Sequence, residues 1–193
     1  MFETDYTITG KHATYLKSLA VKNANRDNDD EVKIVHSAQL FERYIDVYMN
    51  AAIWGLLYKR REERDTISKD RARIYADAFA RERNNCIFLY RLVMLLDEST
   101  NLNAEERVNR AFRYDTMPDK VEEFKNNMDL FHAYIRGGIE QMYEQFTDGC
   151  SNRGDYLNTS YKVMIDFKKD IEGFSYKDEL PTLINQTELN LNM

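Results

Sequence analysis

The chain has 193 residues, 43% of them hydrophobic, with only 7 Gly and 2 Pro, where average usage is about 7% and 5%. That is enough apolar material for one domain with a real core, and the scarcity of breakers demotes sheet-rich folds in favour of long helices. With 27 basic against 33 acidic residues the net charge is −6, which repels phosphate backbones overall and excludes generic nucleic-acid coating.

The acidic N-terminus, Met-Phe-Glu-Thr-Asp-Tyr, lacks the apolar core of a signal peptide, and charges interrupt every apolar stretch short of about 18 residues. A cytoplasmic protein with no membrane span is expected. A first helix is read from Gly10 to Val21, with Ala13, Leu16 and Leu19 at helical spacing and Thr9 as its cap. Residues 23–31, NANRDNDDE, form a solvated loop. From Ser37, a good N-cap, a central helix runs to Arg61 with a wide apolar face that includes Tyr44, Val47, Tyr48 and Leu56. Its small residues Ala51, Ala52 and Gly55 permit a close helix crossing beside the large Trp54 and Tyr58.

The next helix is read from Lys69 to Asp97, amphipathic at first and nearly all apolar from Cys86 to Leu96. Between the halves lie Glu82, Asn84 and Asn85, which must be hydrogen-bonded wherever they face the interior. A short helix over Asn103–Tyr114 has Glu105 and Glu106 in its first turn and Arg110 and Arg113 in its last, matching the helix dipole. Pro118 then opens the clearest pattern in the chain. Val121, Phe124, Met128, Phe131, Ile135, Ile139, Met142 and Phe146 make one apolar stripe at steps of three and four. Asp148 and Gly149 stop it, and a last helix covers Asp155–Ile171 before a loosely docked tail at 174–193. The expected architecture is all-α, a single domain over 1–193 built as a bundle of five or six helices with short polar connections.

Chemistry-bearing patterns are few. Cys86 and Cys150 are expected to be reduced, and three histidines with two cysteines do not supply the short ligand spacing of a structural zinc site. Asp129 and His132, at i and i+3, are the nearest approach to a metal motif, because helical bundles build di-metal carboxylate centres from such pairs. The second copy and the bridging acids are missing. A boundary histidine beside the apolar stripe is the favoured reading of His132, and a helical metalloenzyme is the least favoured function. No histidine has the Arg shortly upstream that helical ribonucleases of the HEPN type require, and neither a phosphate loop nor a nucleophile elbow occurs. No catalytic residue, cofactor or metal is therefore assigned.

Two surfaces remain. From Lys59 to Arg91, ten basic residues oppose six acidic ones, a local charge of +4 that leaves −10 for the rest. Within it Lys59, Arg60, Arg61, Arg64, Arg71 and Arg73 are either a salt-paired solvated face or a small patch for phosphate or an acidic partner, with Tyr58 and Tyr75 available for stacking. Gly137 and Gly138 interrupt the stripe at about 1 kcal/mol each in a helix interior. Close backbone packing is one reading of them; the other is a partner-docking surface of Gly137, Gly138, Trp54 and Tyr58.

The segments YIDVYMNAAIWGLLYKRR, YADAFARE and FHAYIRGGIEQMYEQF, spanning Tyr44 to Phe146, resemble small helical accessory proteins of bacterial DNA-phosphorothioation (Dnd-type) and related phage-defence loci. The resemblance lies in apolar rhythm and the Gly-Gly pair, and no catalytic residue carries over. It implies an accessory subunit beside a larger helicase, nuclease or ATPase. The expected function is thus a non-enzymatic interaction module of a prokaryotic complex, with a protein partner or a homo-oligomeric contact. The alternative is a nucleic-acid-associated accessory protein that uses the patch at 59–73, with weak, salt-sensitive binding.

Overall fold

The computed structural model describes residues 1–21 and 38–172; the loop expected at 23–31, the cap expected at Ser37 and the tail from 174 fall outside them. Ordered along the chain are β1 (Tyr6–Thr9), α1 (Lys11–Leu19), α2 (Tyr44–Leu57), β2 (Arg71–Ile74), α3 (Ala76–Arg81), α4 (Arg83–Leu96), α5 (Ala104–Phe112), α6 (Val121–Thr147) and α7 (Arg153–Glu172). The protein is mostly helical, as composition implies. Two corrections apply to the expected architecture: the described residues hold seven α-helices rather than five or six, and β1 and β2 pair as an antiparallel ribbon, with Tyr6 opposite Ile74 and Thr9 opposite Arg71. In both strands residues alternate at period two. Ile8, Ala72 and Ile74 face the core, while Arg71 and Arg73 face outward, which satisfies the sheet periodicity.

The apolar stripe of α6 is the spine of the fold. Phe131, Ile135, Ile139 and Met142 are completely buried, with α2 packed along them and α1, α4 and α7 around the rest. The two long helices approach backbone to backbone. A Cβ on Gly138 would lie 1.9 Å from the carbonyl oxygen of Ala51, and one on Gly55 would lie 2.0 Å from that of Tyr134. Only hydrogen at those positions permits the crossing.

Expected as helical to Arg61, α2 instead ends at Leu57. Lys59 takes a left-handed φ of 51, and the Arg60 amide returns to the Gly55 carbonyl at 2.9 Å, a terminating arrangement that glycine usually supplies. From there the chain crosses α6. The Glu62 amide donates to the Ala133 carbonyl at 3.0 Å, and Arg136 Nε donates to the Glu62 carbonyl at 2.8 Å. Gly137 lies beneath this crossing, where a Cβ would fall 2.2 Å from the Arg60 carbonyl oxygen.

The helix expected over 69–97 is three elements, β2, α3 and α4, with the last two hinged at Glu82. Half-buried, Glu82 accepts from Arg43 at 2.9 Å and from Asn85 at 2.9 Å, which answers the demand for partners there and ties the start of α2 to the α3–α4 junction. At the other end of α4, Asp97 is wholly buried. It accepts from Arg110 Nη1 of α5 at 3.1 Å and from the Tyr134 hydroxyl of α6 at 2.6 Å. Asn103, expected as the first residue of α5, instead caps it in a reciprocal box with Glu106. Thr9 does not cap α1. That role falls to Asp65, which accepts from the Lys11 amide at 2.7 Å.

Candidate functional site

Trp54 and Tyr58, on successive turns at the end of α2, line a cleft of about 500 Å³ against α6 and α7. The Trp54 indole donates to Gln145 Oε1 at 2.7 Å, and its ring stacks on Phe167 of α7 with centroids 5.5 Å apart. Tyr58 stands 6.3 Å away and is 46% exposed. Glu144, Asp148 and Asp166 line the same cleft with a single Lys162. Arg60 already holds Glu144, at 2.5 and 3.0 Å, and Lys169 meets Asp166 at 3.5 Å, so Asp148 and a singly paired Asp166 stand at the cleft edge. Aromatic faces beside carboxylates are suited to a cationic side chain.

The glycines expected beside Trp54 on a docking surface are not on it. Gly137 and Gly138 are buried, one under the 60–62 crossing and the other under α2. The groove they open is occupied by the chain's own backbone, so close packing is their role. A second groove of about 470 Å³, lined by Ile87, Phe88, Leu92, Leu95 and Phe112 with Arg91, lies on the outer side of α4 and α5.

The basic segment divides. Arg60 turns inward to Glu140, Glu144 and Glu62, and Lys59 pairs with Glu98 at 2.9 Å. Arg61 lies over the Tyr134 ring at 5.8 Å. On the ribbon's outer face Arg64 donates to Thr9 Oγ1 at 3.2 Å, and Arg71 projects beside it from the position opposite Thr9. Arg73 comes within 3.9 Å of Asp5 and 6.0 Å of the Tyr75 ring. Lys59, Arg60 and Arg61 are therefore engaged by the chain's own side chains, and the part of the expected patch that faces outward on the ribbon is Arg64, Arg71 and Arg73, the last of them beside Asp5.

His132 is an aromatic packing element. Its ring stacks on Tyr6 at 4.0 Å, and burial together with Arg136 lowers its pKa to about 3, which keeps it neutral. Asp129 is exposed, and the two are not part of a converging ligand group among the described residues. Both cysteines are free and buried; burial, then the nearby Glu82, pushes the Cys86 thiol up to about 12, leaving it protonated and unreactive.

Spacing gave no hint of the most concentrated polar group. His12, on the first turn of α1, is completely buried, and its Nε2 lies 3.3 Å from Glu140 Oε2 of α6. Lys11 Nζ is 2.8 Å from that oxygen and 3.9 Å from Glu62 Oε2. Arg60 braces the outer oxygens, at 2.9 Å from Glu140 Oε1 and 3.6 Å from Glu62 Oε1. Burial lowers the pKa of His12 against the pull of Glu140, whereas the hydrogen bond to Glu140 raises that of Lys11. The imidazole is thus uncharged at neutral pH and the ammonium charged. The available signal in the sequence is Glu140 itself, an acid three residues after Gly137 on the helix face that the glycine holds open.

Among the described residues no helix is long and apolar enough to cross a membrane. No protein-family model matches the chain, and no curated protein or solved structure is similar to it.

Proposed function

We propose that this protein is a non-enzymatic interaction module, an accessory subunit that docks a positively charged segment of a larger protein into the cleft between α2, α6 and α7. The observation that carries this reading is the cleft itself. Trp54 and Tyr58 end α2 with one ring half-buried and the other exposed, Phe167 lies against Trp54, and Asp148 and Asp166 stand at the edge beside Lys162, with Lys169 reaching Asp166 at 3.5 Å. An arginine or lysine entering there gains a ring face and a carboxylate together, and rigid aromatic anchors of this kind dominate docking energy. The Dnd-type resemblance of Tyr44 to Phe146 supports a phage-defence setting, with a helicase, nuclease or ATPase as the larger partner.

The test places a photo-crosslinker at Tyr58 (Tyr58→p-benzoylphenylalanine) in the native cell. One dominant adduct is expected, mapping to an Arg- or Lys-bearing segment, and the double reversal Asp148→Lys with Asp166→Lys should weaken the purified complex about tenfold or more. An adduct on a segment without basic residues, or a complex indifferent to the reversal, would sink the reading.

A second reading rests on the ribbon. Arg64, Arg71 and Arg73 lie along one outward face with Tyr75 nearby, a small surface for phosphate contact. If it binds nucleic acid, affinity falls with added salt with a log–log slope of about −2 to −3, as three phosphate contacts require, and the triple reversal of those arginines to Glu removes it. Equal affinity of wild type and triple variant for single- and double-stranded DNA and RNA would eliminate this reading.

A further inference from the structure

We propose that His12, Glu62 and Glu140 form a binding site for a first-row divalent cation of the Zn²⁺ class, occupied in its absence by the ammonium of Lys11. The three residues come from α1, from the segment that crosses α6, and from α6 itself. Their ligand atoms all lie within 4.8 Å of one another.

The geometry favours a small cation in three ways. First, Zn²⁺ holds nitrogen and oxygen ligands at about 2.0–2.1 Å, so two tetrahedral ligands stand about 3.3 Å apart. The separation of His12 Nε2 and Glu140 Oε2 is 3.3 Å. Second, these buried atoms make no hydrogen bond. Neither ring nitrogen of His12 has a partner, and Glu140 Oε2 accepts none although Lys11 Nζ lies 2.8 Å away. Two buried atoms able to ligate thus face each other at 3.3 Å with no hydrogen bond between them, and a cation held by both would satisfy them together. Third, the site is oriented. Arg60 engages the Oε1 atoms of both glutamates and Lys11 donates to Glu140 Oε1 at 3.1 Å, which leaves Glu140 Oε2 turned toward His12, and such outer hydrogen bonds and charges set ligand orientation in metal sites.

Exchange is feasible at Lys11, whose side chain is 40% exposed and can swing into solvent. Glu62, 31% exposed, is the ligand able to close the remaining distance. With one nitrogen and two carboxylate oxygens from the protein, water takes the fourth position. The site then clips α1 and the 60–62 crossing onto α6.

Full-length protein treated with chelator and titrated with Zn²⁺ by calorimetry should bind about one equivalent, and Co²⁺ should give the visible absorption of a tetrahedral nitrogen–oxygen site. Lys11→Met is expected to tighten binding about tenfold by removing the competing charge, while Glu62→Gln and Glu140→Gln each weaken it about tenfold or more. Nitrogen-15 resonances of His12 should shift on Zn²⁺ addition. His12 and Glu140 are buried, so the half-exposed Glu62→Gln and Lys11→Met give readouts in chains expected to fold. No saturable binding by wild type or Lys11→Met overturns the proposal, and so does affinity unchanged in Glu62→Gln.

Discussion

Arg110→Leu is expected to lower the free energy of unfolding by about 3–5 kcal/mol, the usual cost of leaving a buried carboxylate without its partner. Both groups are out of solvent, Asp97 at 0% and Arg110 at 3% exposure. The guanidinium also donates through Nε to the Met94 carbonyl at 3.1 Å and through Nη1 to Thr100 at 3.0 Å, so the open end of α4 is unsatisfied as well once Arg110 is gone. Urea denaturation measures the effect. An Asp97→Leu, Arg110→Leu double variant should recover much of the loss, because no stranded charge remains. A single variant within about 1 kcal/mol of wild type would show that the pair is not a structural lock.

The same pair gives the chain an acid limb. Burial pushes the Asp97 carboxyl up, but hydrogen bonds from Ser99, Tyr134 and Arg110 outweigh it and hold the pKa at about 2, below the ordinary 3.8. A carboxyl depressed on folding stabilises the native state above its unfolded pKa, so the contribution, about 2 kcal/mol, is present above about pH 4 and is lost as the pH falls toward 2. Without Arg110 that limb shrinks.

Gly138→Ala has the second large effect, and its sign runs against helix propensity. Inside a helix the exchange gains about 1 kcal/mol. Here the new methyl would meet the Ala51 carbonyl oxygen at 1.9 Å and the Gly55 amide nitrogen at 2.8 Å. Backbone cannot turn aside as a side chain can, so α2 and α6 must separate along their length, with an expected net loss of about 3 kcal/mol or more. Gly149→Ala is the control. Its φ is +67 but nothing lies within 4 Å of the added carbon, so only backbone strain of about 1–2 kcal/mol is expected. Thermal and urea melts of the two variants separate steric exclusion from conformational cost; equal losses would contradict the close-crossing account.

What could be read from the sequence was what repeats locally. The stripe from Val121 to Phe146 needs only its own spacing, and the first-turn acids Glu105 and Glu106 and Pro118 before α6 place their helix starts within a few residues. RARI reads as helix because Arg71 to Ile74 fits an amphipathic turn as well as a strand, and its partner YTIT lies more than sixty residues earlier. The end of α2 is not legible for a related reason. Lys59 adopts a glycine-like conformation because Gly137, far along the chain, accepts the crossing segment.

The same distinction applies to the sites. Trp54 and Tyr58 belong to a cleft, but Phe167 of α7 completes it, and no spacing rule links the two helices. His12, Glu62 and Glu140 are 50 and 128 positions removed from the first of them, beyond any motif built on short intervals. Tertiary folding gathers them, so a search for adjacent ligands passes over them.

The position of α6 also sets when the chain can fold as it is made. Tyr6 rests on His132, Tyr15 stacks on Tyr143 at 4.1 Å, and His12 faces Glu140, so β1 and α1 wait for nearly the last described helix. Before α6 is made, β1 and α1 are held by the 39–41 segment, by α2, by β2 and by the 65–70 turn, and the face that α6 covers stays open. Contacts this distant in sequence close slowly, and until they do the apolar sides of α1 and α2 are open to other nascent chains.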